Sequence, residues 1–363
     1  MRLQKNWFKI YFFLLFSTFI SYNSFSQDSS INMMYQKSLD TLSKIIKMST
    51  YNSFKECVFT VENTFSKSNL NRDDFNKKIK ALSVIAKTWL LFNPLNQYKN
   101  SDSVNFGLNM AIYNVLKDTV KLQLSASSEI YYTTPYTYDF SDFFGYEDWS
   151  NMFVTKLLTT HKGNCHSLPY LYKIIADELG ATCWLSLAPN HIYIKNRCKK
   201  VGWYNTELTS GEFPIDAWIT TSGYIPVKAV QTGIYMDTLS NQQAIALCVL
   251  DLAKGYEFQS KNYYDGFIIK CCDLVLQYHP VNVQAMLLKA ETLKRVYEKQ
   301  KTEKKNEATE TYNQIEQLYI KMFDLGYREM PEKMYMQWLR SVTEQRNKYG
   351  NKQLKETLKD KAK

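Results

Sequence analysis

Gly163-Asn164-Cys165-His166-Ser167-Leu168-Pro169, running on to Gly180, is the stretch whose reading decides the fold. Gly163 and Asn164 are turn residues. From Ser167 to Leu179 the apolar positions Leu168, Leu171, Ile174, Ile175 and Leu179 fall on one helical stripe, and Gly180 supplies a C-terminal stop. Pro169 suits a first helical turn, where no backbone N–H is needed. Cys165 is therefore expected at a helix N-terminus. There the helix dipole favours the thiolate, and the Cys165 N–H can serve an oxyanion hole.

Downstream, Cys183-Trp184-Leu185-Ser186-Leu187 reads as a strand. After Pro189-Asn190, the run His191-Ile192-Tyr193-Ile194-Lys195 alternates with period two, which puts His191, Tyr193 and Lys195 on one face. A polar turn leads into Trp203-Tyr204-Asn205-Thr206-Glu207. A hairpin centred on Lys199 would pair Lys195 with Trp203, Tyr193 with Asn205 and His191 with Glu207, setting imidazole and carboxylate side by side. A one-residue slip would send them to opposite faces. The expected fold class is α+β, with a helix-borne cysteine packed on an antiparallel sheet.

Chemistry gives this order a meaning. A thiol is mostly protonated at neutral pH, so an imidazole must take its proton, and a carboxylate on the other ring nitrogen fixes tautomer and orientation. Standing alone, Cys165 reads as a small buried hydrophobe, His191 as a hydrogen-bonded strand residue and Glu207 as a solvated one. Asp216 is an alternative third member, although Pro214 before it argues that the chain has left the sheet. His161, Cys165 and His166 do not complete a metal set, and Cys-x-x-Cys, His-Glu-x-x-His and Gly-rich phosphate motifs do not occur. No metal and no cofactor are expected.

The order Cys, His, acid, with Gly202-Trp203 four residues before Glu207, resembles the transglutaminase-like superfamily, whose core is a papain-like thiol fold. The resemblance spans roughly Tyr146 to Ser222. It implies Cys165 as nucleophile, His191 as general base and acid, and Glu207 as the orienting residue, where the family more often carries aspartate. Relatives place a further oxyanion donor in the region of Trp149 and Asn151. Members include cross-linking enzymes, peptidases, peptide N-glycanases and inactive proteins, so the resemblance implies a mechanism class and no substrate.

The chain opens with Arg2, Lys5 and Lys9, an apolar run from Ile10 to Ile20, and small residues at Ser24 and Ser26 before Gln27. This is a signal-peptide pattern, too short for a membrane span, and it predicts an exported, periplasmic or extracellular protein with no integral span after cleavage. Without those three cations the net charge of +10 becomes +7. The basic runs Lys299 to Lys305 and Lys352 to Lys363 are interleaved with acids, which suits a solvated helical face and not a nucleic-acid surface. Seven cysteines leave one unpaired if disulfides are complete, in keeping with a free nucleophile; Cys183 and Cys198 can bridge or stay reduced.

Five regions follow: a signal peptide, 1–26; a helical N-terminal region, 27–120; the thiol domain, 121–238; a helical region, 239–347; and a charged, frayed tail, 348–363. Helical periodicity marks Leu39, Leu42, Ile45, Ile46 and then Phe75, Ile79, Leu82, Ile85, Ala86, with Asn71 and Asp73 or Asp74 as candidate caps. The aromatic stretch from Tyr131 to Tyr146 favours strands and turns, and its rings are read first as ordinary packing and second as a wall of the cleft. From Gln242 to Glu298, Leu252-Ala253-Lys254-Gly255-Tyr256, Pro280, Ala285 and Ala290 resemble tetratricopeptide helix pairs. A further helix is expected from Thr309 to Leu325.

Two functional classes fit. One is an exported thiol enzyme acting on peptide or amide bonds through a Cys165 thioester, with hydrolysis favoured over cross-linking and a peptide, protein or cell-wall peptide as substrate. The other is a catalytically silent binding or assembly protein that uses its groove and its C-terminal helices to hold a protein partner. The intact Cys-His-Glu set favours the enzyme.

Overall fold

The helix that follows the cysteine spans Ser167–Leu179 and ends at Gly180, which adopts the left-handed conformation at φ 69°. Its start is fixed by Asn164, whose Oδ1 accepts the N–H groups of His166 and Ser167 at 2.9 and 3.1 Å. Leu168, Leu171, Ile174 and Ile175 are buried, each worth about 1.5–3 kcal/mol relative to exposure. Gly163 is demanded by packing, since a Cβ there would stand 2.5 Å from Ser167 Oγ and 2.8 Å from Leu157 Cδ1.

The structure is a computed structural model that describes residues 30–48, 53–96, 98–123 and 129–359, and the expected signal peptide lies outside them. It is mixed helix and sheet. The Ser167–Leu179 helix packs on a three-stranded antiparallel sheet in chain order, Trp184–Ala188, His191–Cys198 and Gly202–Thr206. Pro189-Asn190 is a two-residue hairpin between Ala188 and His191, with Asn190 at φ 54°, a left-handed value that asparagine tolerates.

The second hairpin differs from the expected register. It is centred on Lys200, not Lys199, and pairs Lys195 with Asn205, Arg197 with Trp203 and Cys198 with Gly202. The reason is the three-residue loop Lys199-Lys200-Val201, closed by Gly202 at φ 80°, a position where glycine is free of strain. Each partner moves by two residues, so every side chain keeps its face. Continued to its end, the ladder would set Glu207 opposite Tyr193, diagonal to His191 instead of directly across from it. Glu207 itself leaves the strand to bridge with Glu212.

Helices flank this core. Residues 30–48 and the helices Ser53–Phe65, Arg72–Phe92 and Ser103–Lys117 precede it, and Asn71 caps Arg72–Phe92 through Asp74 N–H at 3.0 Å. Asn241–Ser260, Phe267–Tyr278, Val283–Thr302 and Ala308–Asp324 follow, each packed on the next. One buried apolar cluster runs from Leu39 and Ile79 through Ile174 and Tyr193 to Val249 and Val275. The N-terminal, thiol and C-terminal regions therefore share a core.

The expected frayed tail is instead folded as far as it is described. A helix spans Lys352–Lys359, and Leu354, 0 % exposed, enters a second apolar cluster with Tyr98, Phe106, Tyr204 and Phe213. Asn351 N–H donates to Phe213 O at 2.7 Å. Two leucines one turn apart, Leu354 and Leu358, among charged and polar residues are too short a pattern to reveal this in the sequence. Among the described residues no helix is long and apolar enough to cross a membrane.

Candidate active site

Cys165 sits in the turn between the short strand Lys162–Gly163 and the Ser167–Leu179 helix. His191 opens the central strand, delivered there by the Pro189-Asn190 hairpin, and the Asn190 carbonyl oxygen lies 3.7 Å from Cys165 Sγ. His191 Nε2 is 2.6 Å from Glu207 Oε2, and Glu207 Oε1 accepts the Thr209 N–H at 2.7 Å, so both carboxylate oxygens are held. Glu207, not Asp216, is the acid beside the imidazole. Asp216 accepts from Asn205 Nδ2 at 2.7 Å and lies 3.7 Å from Lys195 Nζ, away from His191.

A residue that sequence reasoning missed joins the thiol to the imidazole. Tyr335, on the helix Glu332–Glu344, is 0 % exposed, and its hydroxyl donates to Cys165 Sγ at 3.1 Å while standing 3.2 Å from His191 Nδ1. With His191 protonated, Nδ1–H donates to the Tyr335 oxygen, whose own proton points at the thiolate. Trp338, one turn on, sets its ring edge-on to the imidazole at 4.6 Å and donates from Nε1 to Ser222 Oγ at 2.9 Å. Tyr335, Trp338, Leu339 and Val342 form a buried stripe at helical spacing. The spacing of that stripe is the signal that could have marked a helix here; its destination over Cys165 carries no signal in the sequence.

A second, half-buried pair lies beside the first. His166 is held by Met152 O at 3.0 Å on Nδ1 and by Asp251 Oδ1 at 2.9 Å on Nε2, while Tyr170 donates to the other Asp251 oxygen at 3.0 Å. Asp251 belongs to the Asn241–Ser260 helix, so the C-terminal region helps to build the site.

These contacts set the charges. Burial opposes an imidazolium at His191, but the Glu207 carboxylate and the neighbouring thiol outweigh it and raise the His191 pKa to about 10. Burial likewise opposes a thiolate at Cys165, yet the hydrogen bond and charge of His191, the Tyr335 hydroxyl and the charge of His166 bring it below the usual thiol range. Burial opposes ionisation of Glu207, and His191 holds it low. By contrast, burial pushes the thiols of Cys57, Cys183 and Cys272 up to about 12. None of the seven cysteines is disulfide-bonded, and Cys165 alone among them is not fully buried.

The site opens into a cleft of about 500 Å³, within the range of small-ligand sites. Phe143, Phe144 and Tyr146 wall one side, the second of the two roles considered for the aromatic stretch, and Leu247, Leu250 and Met330 lie among the other residues lining it. Of the remaining sequence candidates, Trp149 reaches the cleft while Asn151 and His161 are bonded away from Cys165. Asn151 donates to Asp142 Oδ2 at 2.9 Å, and the Nδ1 of His161 bonds Thr134 O at 2.9 Å. Trp203 is 43 % exposed and meets Trp184, not the site. Among the described residues no three His, Cys, Asp or Glu side chains converge as a metal site would require.

The arrangement can do three things chemically: hold a thiolate, hold the imidazolium that formed it, and later return that proton to a leaving group. Comparison with known proteins finds no matching family model, no similar curated protein and no similar solved structure.

Proposed function

We propose that the protein is an exported thiol hydrolase of transglutaminase-like type that cleaves a peptide or side-chain amide through a thioester at Cys165. The observation that carries this reading is the 2.6 Å contact of His191 Nε2 with Glu207, which leaves Nδ1 facing the Cys165 side of the site. In the proposed reaction Cys165 Sγ attacks the amide carbon, His191 protonates the leaving nitrogen, and water then hydrolyses the thioester with His191 as base. The charged pair in a cleft with apolar walls suits a peptide with an apolar side chain beside the scissile bond. The helices after Asn241 would recruit or orient a protein substrate.

One observation favours the second reading, a silent binding protein of the same fold. The Tyr335 hydroxyl stands 3.1 Å from Sγ and 3.2 Å from Nδ1, crowding the place where a leaving amine must stand to collect its proton. The deciding experiment is the pH dependence of iodoacetamide labelling at Cys165 in the wild type and in His191→Ala. Fast labelling below the normal thiol pKa that is lost in His191→Ala supports the enzyme. Slow labelling that is alike in both proteins supports the binding protein.

A further inference from the structure

Acyl transfer at Cys165 needs a donor for the oxygen that becomes negative; of the two residues expected in that region, Trp149 stacks on Phe258 with its Nε1 beside Gly255 of the Asn241–Ser260 helix. Asn151 bonds Asp142, and Asn164 Nδ2 donates to Phe143 O at 3.0 Å. The N–H groups of His166 and Ser167 are taken by the Asn164 cap. Tyr138 is different. Its side chain is 9 % exposed, and its hydroxyl is buried without a hydrogen-bond partner, a state that costs about 1–3 kcal/mol and calls for a reason.

The backbone aims this hydroxyl. Thr137–Tyr138 pairs in parallel with Lys162–Gly163, with Tyr138 opposite Gly163, two residues before the nucleophile. Asp139 N–H donates to Gly163 O at 2.7 Å, so the tyrosine's strand is fastened to the strand that ends two residues before Cys165. The phenol faces the Cys165 thiol and the Tyr335 hydroxyl, and its ring packs against Phe140 at 4.7 Å.

We propose that the Tyr138 hydroxyl is the side-chain oxyanion donor for acyl transfer at Cys165, acting with the Cys165 N–H; this rests on the thiol-enzyme reading above. As Sγ bonds to the carbonyl carbon, the carbonyl π pair moves onto oxygen and meets the Tyr138 O–H. When the pair returns, the bond to the leaving nitrogen breaks and His191 supplies its proton. Tyr138 gives a hydrogen bond and keeps its own proton. Burial, which raises its pKa above the ordinary phenol value, holds that proton in place. The Tyr138 hydroxyl closes no well-formed hydrogen bond at rest, so the bond it makes as the oxyanion forms is spent on the transition state.

The test compares two reactions of the same thiol. Displacement on iodoacetamide creates no oxyanion, whereas acetylation by p-nitrophenyl acetate passes through one. Both rates at Cys165 are measured in the wild type and in Tyr138→Phe, which keeps the ring. The pair is repeated in a Tyr335→Ala background, so that a covered thiol cannot mask the comparison. The expected result is a fall of about 10²–10³ in the ratio of acetylation to alkylation, the usual loss on removing one oxyanion donor. An unchanged ratio, whether both rates hold or both fall together, overturns the proposal and leaves Tyr138 a packing residue. If Cys165 of the wild type reacts abnormally slowly with both reagents in both backgrounds, the thiol-enzyme reading itself fails and takes this proposal with it.

Discussion

Replacing Glu207 by glutamine preserves shape and removes the charge that sustains the His191 imidazolium. The rise of the His191 pKa from 6.5 to about 10 represents about 5 kcal/mol of preference for the charged ring, at ~1.4 kcal/mol per pH unit, and Glu207 is the largest of the effects that raise it. Burial then pulls the imidazole the other way, and the Cys165 thiolate loses its counter-ion. If only a quarter to a third of that preference reaches the thiol, the acid limb of Cys165 alkylation moves up by about one pH unit. On that limb labelling slows about tenfold, because only the thiolate reacts. The assay is iodoacetamide labelling between about pH 5 and 8, the range in which imidazoles titrate, read by mass spectrometry of the Cys165 peptide. Superimposable acid limbs in wild type and Glu207→Gln, with the fold intact by circular dichroism, would refute the electrostatic argument. Stability offers a parallel reading. A raised His191 contributes stability that is fully present below pH 6.5 and lost as pH rises through about 10, and a depressed Glu207 contributes stability present above pH 4.5 and lost as pH falls. The melting-temperature gap between wild type and variant is therefore expected to be widest between pH 4.5 and 6.5.

Two other substitutions probe how the site is built. Tyr335→Ala removes a ring stacked on Phe144 at 5.3 Å and a hydroxyl shared by Cys165 and His191; it should cost about 3–5 kcal/mol in urea unfolding, yet speed alkylation above the thiol pKa by opening the cleft. Unchanged labelling there would mean that Tyr335 does not cover the thiol. Gly163→Ala forces a methyl to 2.5 Å from Ser167 Oγ, and an expected loss of about 1–3 kcal/mol in the same unfolding assay would disappear if the strand before Cys165 could simply shift.

The local grammar of the site was readable because short-range rules govern it. The stripe from Leu168 to Leu179 with Gly180 behind it predicts the observed helix to the residue, and the period-two run after Asn190 predicts the histidine strand. The hairpin register was less legible. A glycine that closes a three-residue loop at positive φ moves the centre by one position, and strand alternation alone cannot detect that. His191 and Glu207 still meet because the displacement is two residues and preserves the face.

What the sequence by itself determined, then, is the order Cys165, His191, Glu207 and the helix and strands that flank them. Only the tertiary structure decided what surrounds them. Tyr335 arrives 170 residues after Cys165, Asp251 85 residues after His166, and Tyr138 from a two-residue strand too short to carry a pattern. The physical reason is one of range. Periodicity and capping act within a few residues, whereas the partners of a buried thiol are chosen by which distant surfaces the shared core presses together.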